Sequence, residues 1–296
     1  MPTGPTWNLL ADVQQMFALH FMVNAFRAGT IVAVLAGAIG WFMVLRRQSF
    51  AGHTLAIVSY PGAAGAVLLG LSASLGYYIA AVAAALVIAA VPRSPSGQSY
   101  GEESAVIGTV QAFALASGAL FVSLYGGFLN SQTSLLFGTF LGISNDQVVV
   151  LLVVAVVSLG VLCGIGRPLF FATVDADVAI ARGVPGRLLS LAFLVLLGCA
   201  AAAASQITGA LLVFSLLVMP AAAAQLITAR PAVSFALTLL LAVVVTWLAL
   251  GAAFYTVYPV GFWLTSFGFG LYVIAAVATG STKLGRRRRA LGPAIA

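Results

Sequence analysis

Residues 167–187 read RPLFFATVDADVAIARGVPGR, and the contrast between this stretch and its surroundings decides the fold. Apolar runs of about 20 residues stand on both sides, each long enough to cross a hydrocarbon core of about 30 Å as a helix. The stretch itself carries Asp175, Asp177, Arg182 and a closing Gly183-Val184-Pro185-Gly186. The pattern predicts a short helix over 174–182. It puts both aspartates in the first turn and Arg182 in the last, where the helix dipole favours them. Gly183 supplies the stop and Pro185 prevents resumption. A short, capped, amphipathic helix hung between two membrane spans is a surface offered to something in water.

Working outward, the 296 residues are 62% hydrophobic and 6% charged, against about 25% charged in a soluble domain. The fold class is therefore all-α integral membrane, a polytopic helical bundle with no room for a sizeable soluble domain. The opening MPTGPTWNLLADVQQ has no basic segment before its apolar stretch and no small-residue cleavage site, so no removable signal peptide is expected. Cys163 and Cys199 lie in separate apolar runs without CxxC spacing, which speaks for core packing rather than a disulfide or zinc site. The net charge of +7 comes from basic residues between the apolar runs and at the tail. That is a topology signal and not a nucleic-acid footprint.

The first span, about 28–45, ends at Arg46-Arg47, which the positive-inside rule places in the cytoplasm with the N-terminus outside. Ahead of it, within an extracytoplasmic segment 1–27, His20, Asn24 and Arg27 fall on one helical stripe, expected at the outer membrane surface. After the less apolar SFAGHTLAIVSYPG (49–62), spans follow to about 71, over 77–91 and over 104–125, the last two separated by a Pro/Ser/Gly loop with Arg93. LLFGTFLGISND (135–146) is too short to cross. With 147–165 crossing once, it is expected to be re-entrant or a broken helix. Further spans are expected at 188–204, 207–227, 233–255 and 262–280, with Ser205 and Gln206 in a tight outer turn. The tally is about nine crossings, eight to ten allowing for boundary error. The transmembrane domain runs over 28–280, and a basic cytoplasmic tail over 281–296 carries an arginine run suited to anionic lipid at the inner surface.

No nucleotide-binding loop, GxSxG, HExxH or metal-binding CxxC is present. The chain carries no catalytic residues and is not expected to be an enzyme. Moving a solute uphill then requires either a partner that hydrolyses nucleotide or an intramembrane carboxylate for ion coupling, and the spans hold no such carboxylate. The short helix at 174–182 becomes the expected dock for an external ATPase.

Several stretches, in order, resemble the permease subunits of ATP-binding-cassette metal-ion importers of the zinc, manganese and iron class. They are RRQSFAGHTLAIVSYPGAA, EESAVIG, LLFGTFLGIS, VDADVAIARGVPGRLL and ITGALLVFSLLVMPAAAAQLI, and together they cover about 21–280. The last is the most specific. The resemblance implies a multi-pass protein of the bacterial cell membrane, working with a cytoplasmic ATP-binding subunit, a second permease chain (the same or different) and an extracytoplasmic metal-binding lipoprotein. ATP acts through the partner subunit, no cofactor is held tightly, and the substrate is a divalent transition-metal ion.

One departure stands out. Where the family has Asp and His four residues apart, this chain has His53 and Ile57. An Asp/His pair at that spacing shares one helical face and suits a divalent transition metal. His53 remains as the candidate metal contact, with Thr54, Ser59 and Tyr60 as further candidates along the path. Asp175, Asp177, Ala181, Arg182 and Gly183 are the candidates for ATPase coupling, and Pro220 for a kink or gate. The loss at Ile57 leaves three readings open: few protein ligands, ligands from a different second permease, or an atypical substrate. A secondary transporter or channel without an ATPase is the alternative function, and a membrane scaffold presenting the short helix is a third.

Overall fold

The computed structural model describes residues 14–90, 99–124, 142–210 and 212–290, without side-chain detail for 99–103 and 281–290. Its helices are α1 (His20–Leu45), α2 (Ser49–Leu68), α3 (Ala73–Ala90), α4 (Ser99–Leu124), α5 (Asn145–Val174), α6 (Ala176–Ala181), α7 (Gly186–Thr208), α8 (Val213–Ile227), α9 (Pro231–Tyr255) and α10 (Val260–Ala290). Seven are long and apolar enough to cross a membrane: α1, α3, α4, α5, α7, α9 and α10. Every backbone polar group in hydrocarbon must be bonded internally, and an all-helical bundle meets that demand. The expected re-entrant segment at 135–146 lies mostly outside the described residues.

Burial separates the centre of the bundle from its wall. The spanning windows of α1 and α7 are 72% and 67% buried, against 17% for α4 and 22% for α5. Small residues let the central helices approach closely, as membrane helices do when packing rather than water exclusion holds them together. A Cβ on Gly40 of α1 would collide with the backbone carbonyl of Leu217 in α8, and one on Gly62 of α2 with the backbone of Gly76 in α3. Polar side chains then fix the crossings. The Trp41 indole donates to Ser234 Oγ (3.0 Å) and Gln225 donates to the Trp41 carbonyl (3.0 Å). Trp247 donates to Thr30 Oγ1 (2.8 Å).

These bonds also order the ends. Arg46, at the C-terminus of α1, donates to Thr173 in α5 and Ser190 in α7, and nearby Trp41 meets the end of α8 and the start of α9. The α1–α2, α5–α7 and α8–α9 connections therefore lie at one end of the bundle. That end carries Arg46, Arg47, Arg182, Arg187 and Arg230.

Several boundaries differ from the sequence reading. α5 begins at a capping box, in which Gln147 N–H donates to Ser144 Oγ (3.2 Å) and Ser144 N–H to Gln147 Oε1 (3.1 Å). It runs through Arg167 and Pro168 to Val174. An exposed arginine extends its head toward the polar boundary while its stem stays on the helix, so it marks no helix end. Ser205 and Gln206 are not turn residues but part of α7. Ser205 is buried and donates to the Ala201 carbonyl (2.7 Å), and the turn falls at Gly209 (φ 78°). Asn24 does not join an outer-surface stripe. It is 2% exposed and its amide donates to the Ile143 carbonyl (3.1 Å), tying α1 to the chain ahead of α5. Cys163 is exposed on α5 rather than packed in the core, and Cys199 is half-buried.

Candidate translocation face and docking helix

The polar residues of α2 are divided among several neighbours. His53 is half-buried, with its ring edge-on to Phe214 of α8 at 5.0 Å. Its Nδ1 is buried without a hydrogen-bond partner among the described residues. A neutral imidazole keeps a lone pair on one nitrogen, and that form ligates metals. Ile57, one turn on, is 4% exposed. Pro61 stands inside the same helix. Having no N–H, it leaves the Ile57 carbonyl without its usual helical donor.

The other candidates do not converge on His53. Thr54 is fully buried and donates to Gln111 Oε1 of α4 (3.0 Å). Ser59 donates to the Leu55 carbonyl of its own helix (3.0 Å). Tyr60 is buried against α4, where a Cβ on Gly118 would stand 2.5 Å from its ring. Pro220 is buried inside α8, and Met219 packs against Gly268 of α10. Among the described residues, no three His, Cys, Asp or Glu side chains cluster. Phe214 and the freed Ile57 carbonyl escaped the sequence reading, although the Pro61 signal for the latter was present.

The short helix is α6, bounded by caps on both sides. It is shorter than the expected 174–182, because Val174 closes α5 and Asp175 serves both as the C-cap of α5 and the N-cap of α6. The Val178 N–H donates to Asp175 Oδ1 (3.0 Å). Arg182 is the C-cap, and Gly183 at φ 73° lets Gly183 N–H reach the Ile180 carbonyl (2.9 Å) and Val184 N–H the Ala179 carbonyl (3.0 Å). This paired closure satisfies the helix's last carbonyls. Asp177 lies in the first turn and Ala181 is the last helical residue. Ala179 faces inward at 2% exposure, while Val174, Val178 and Ile180 are exposed. Val178 and Ile180 thus stand on either flank of the inward Ala179, and with Asp175, Asp177 and Arg182 they make the exposed surface of α6 at the basic end of the bundle.

The sequence profile of the ABC 3 transport family matches residues 18–280. The chain belongs to the ABC 3 transport family. It is a multi-pass permease of the bacterial cell membrane. The chelated iron transport system membrane protein YfeC of Yersinia pestis is 32% identical over 222 residues, covering 75% of this chain and 74% of that one. The manganese transport system membrane protein MntC of Halalkalibacterium halodurans is 29% identical over 237 residues, covering 80% of each. Among solved structures, a chain of PsaBC from Streptococcus pneumoniae in complex with Fab superposes with a TM-score of 0.80 at 23% identity. It covers 90% of this chain and 95% of that one, so the bundle architecture is shared nearly end to end.

Proposed function

We propose that this chain is the permease subunit of an ATP-driven importer that carries a divalent transition-metal ion, zinc, manganese or iron, into the cell. The observation that carries the reading is the family match over 18–280, with relatives named for iron and manganese transport. Hydrolysis belongs to a separate cytoplasmic ATP-binding subunit that docks on α6. A second permease chain completes the path, and an extracytoplasmic metal-binding lipoprotein delivers the ion.

In this reading the chain crosses nine times, the seven long apolar helices being joined by α2 and α8. The N-terminus is outside and the basic end is cytoplasmic, as the positive-inside rule requires. His53 Nδ1 and the Ile57 carbonyl form the polar part of the path on this chain. Two such groups bind weakly, which suits an ion that must be released. Docking of the motor moves α6 and its adjoining helices α5 and α7, and the bundle alternates between outward and inward access. Pro220 bends α8 beside that path.

The test is metal uptake by the reconstituted transporter. Uptake of manganese, iron or zinc must require ATP, and His53→Ala must lower it at least tenfold at equal protein. Undiminished uptake removes His53 from the path. Copurification of the ATP-binding subunit is abolished by Asp175→Lys with Asp177→Lys. If it survives both changes, the dock lies elsewhere.

A further inference from the structure

Arg46 caps α1, and its guanidinium holds three segments at once. Nε donates to Gln48 Oε1 (3.2 Å), Nη1 to Thr173 Oγ1 (3.1 Å) and Nη2 to Ser190 Oγ (3.0 Å), while the charge stands 5.4 Å from the centre of the Phe193 ring. Thr173 lies in the last turn of α5 and Ser190 near the start of α7. The chain between them contains α6. Both roots of the docking helix therefore end on one side chain. The third acceptor, Gln48, is the N-cap of α2, the helix that carries His53.

The joint has little slack. α1 closes through Arg47 N–H to the Val44 carbonyl (3.1 Å) and Gln48 N–H to the Met43 carbonyl (2.9 Å), with Arg47 itself at φ 57°. Glycine is the usual residue for that left-handed position, and a non-glycine residue persists there when its surroundings over-determine it. Just beyond, Gly52 seats the first turn of α2 on α1, where a Cβ would collide with the Met43 sulfur, and beside Leu197 of α7 at 3.6 Å. Phe193, under the guanidinium, is fully buried. A planar fork can serve three acceptors in fixed directions, whereas an ammonium is a compact point charge.

We infer that Arg46 is a positioning residue for transport: it couples displacement of α6, through Thr173 and Ser190, to the start of α2 and so to His53. This rests on the proposal that the chain is the permease of an ATP-driven importer. Arg46 touches no substrate. It acts by making the roots of α5 and α7 and the α1–α2 turn move as one piece.

The experiment measures metal uptake and ATP hydrolysis on the same proteoliposomes containing the complete transporter, with manganese as the probe. Arg46→Lys, and separately Thr173→Val with Ser190→Ala, are each expected to lower manganese taken up per ATP hydrolysed at least tenfold, with hydrolysis persisting. A purely structural arginine lowers uptake, hydrolysis and the melting midpoint together at a constant ratio, and that result overturns the inference. So does a parental ratio in both variants. If Arg46→Lys uncouples but the Thr173/Ser190 pair does not, coupling does not run through these bonds and the inference also falls. Parental vesicles in which ATP drives no uptake of manganese, iron or zinc refute the importer assignment itself, separately from any Arg46 result.

Discussion

Replacing Gly183 by alanine isolates one physical term at α6, the proposed dock. Its φ of 73° lies where L residues are disfavoured, yet a Cβ built there meets nothing within 4 Å. The substitution therefore costs conformation and not collision, about 1–2 kcal/mol. That cost falls on a helix of six residues, far below the roughly 12–15 at which an isolated helix becomes marginal. The closing bonds of Gly183 and Val184 to Ile180 and Ala179 are what the substitution weakens. A change of 1–2 kcal/mol is a factor of about 5–30 in a local equilibrium. Amide exchange over 176–184 accelerates by that factor, whereas the affinity of an ATP-binding subunit that requires α6 to be formed falls only as the formed fraction falls, by at most that factor. The melting midpoint of the bundle stays nearly unchanged, because local opening is set apart from global unfolding. Gly183→Asn keeps most of the affinity, since asparagine tolerates the left-handed region. Binding of purified ATP-binding subunit to permease in nanodiscs reads the effect. Amide exchange over 176–184 within twofold of the parent in the alanine variant, or asparagine as damaging as alanine, refutes the reasoning.

Asp175→Ala removes the bond from Val178 N–H and costs the helix about 1 kcal/mol. Asp177→Ala loses only its dipole interaction, about 0.3–1 kcal/mol, so exchange over α6 rises more for the first. Gly40→Ala drives a methyl into the Leu217 carbonyl and is expected to cost about 1–3 kcal/mol as overpacking, seen as a lower melting midpoint and poorer yield in detergent. Arg47→Gly removes a strained left-handed residue and is expected to raise the melting midpoint, corresponding to about 1 kcal/mol. A fall in that midpoint would mean the Arg47 side chain is itself a stabilising contact.

The long apolar runs made the helical membrane fold legible, and Asp175, Gly183 and Pro185 marked the short helix, because capping chemistry is local. The errors arose where one residue carried two meanings. Arg167 with Pro168 looked like an edge, but the apolar helix continues past them to Val174. Ser205 and Gln206 looked like a turn, but the Ser205 hydroxyl satisfies itself on the helix. Asn24 looked interfacial until its partner, the Ile143 carbonyl 119 positions away, was placed. The Arg46 contacts, at separations of 127 and 144 residues, and the His53–Phe214 contact were invisible for the same reason. Helix periodicity reports which residues share a face, while the neighbour facing them depends on how the bundle closes.

Apart from the short α6, the two helices that meet at His53 and Phe214 are those least suited to entering a bilayer. α2 is absent from the helices long and apolar enough to cross, and α8 has 15 residues, about 22 Å of helix against a core of about 30 Å. During synthesis, a segment is retained in the lipid according to its own length and apolarity. α2 therefore depends chiefly on α3 and α4, and α8 on α1, α9 and α10, to hold them, and they gain their place as the chain assembles rather than as each segment emerges. The polar atoms of α2 and the short span of α8, which the proposed path uses, are the same features that make lipid a poor solvent for this pair until its neighbours have arrived.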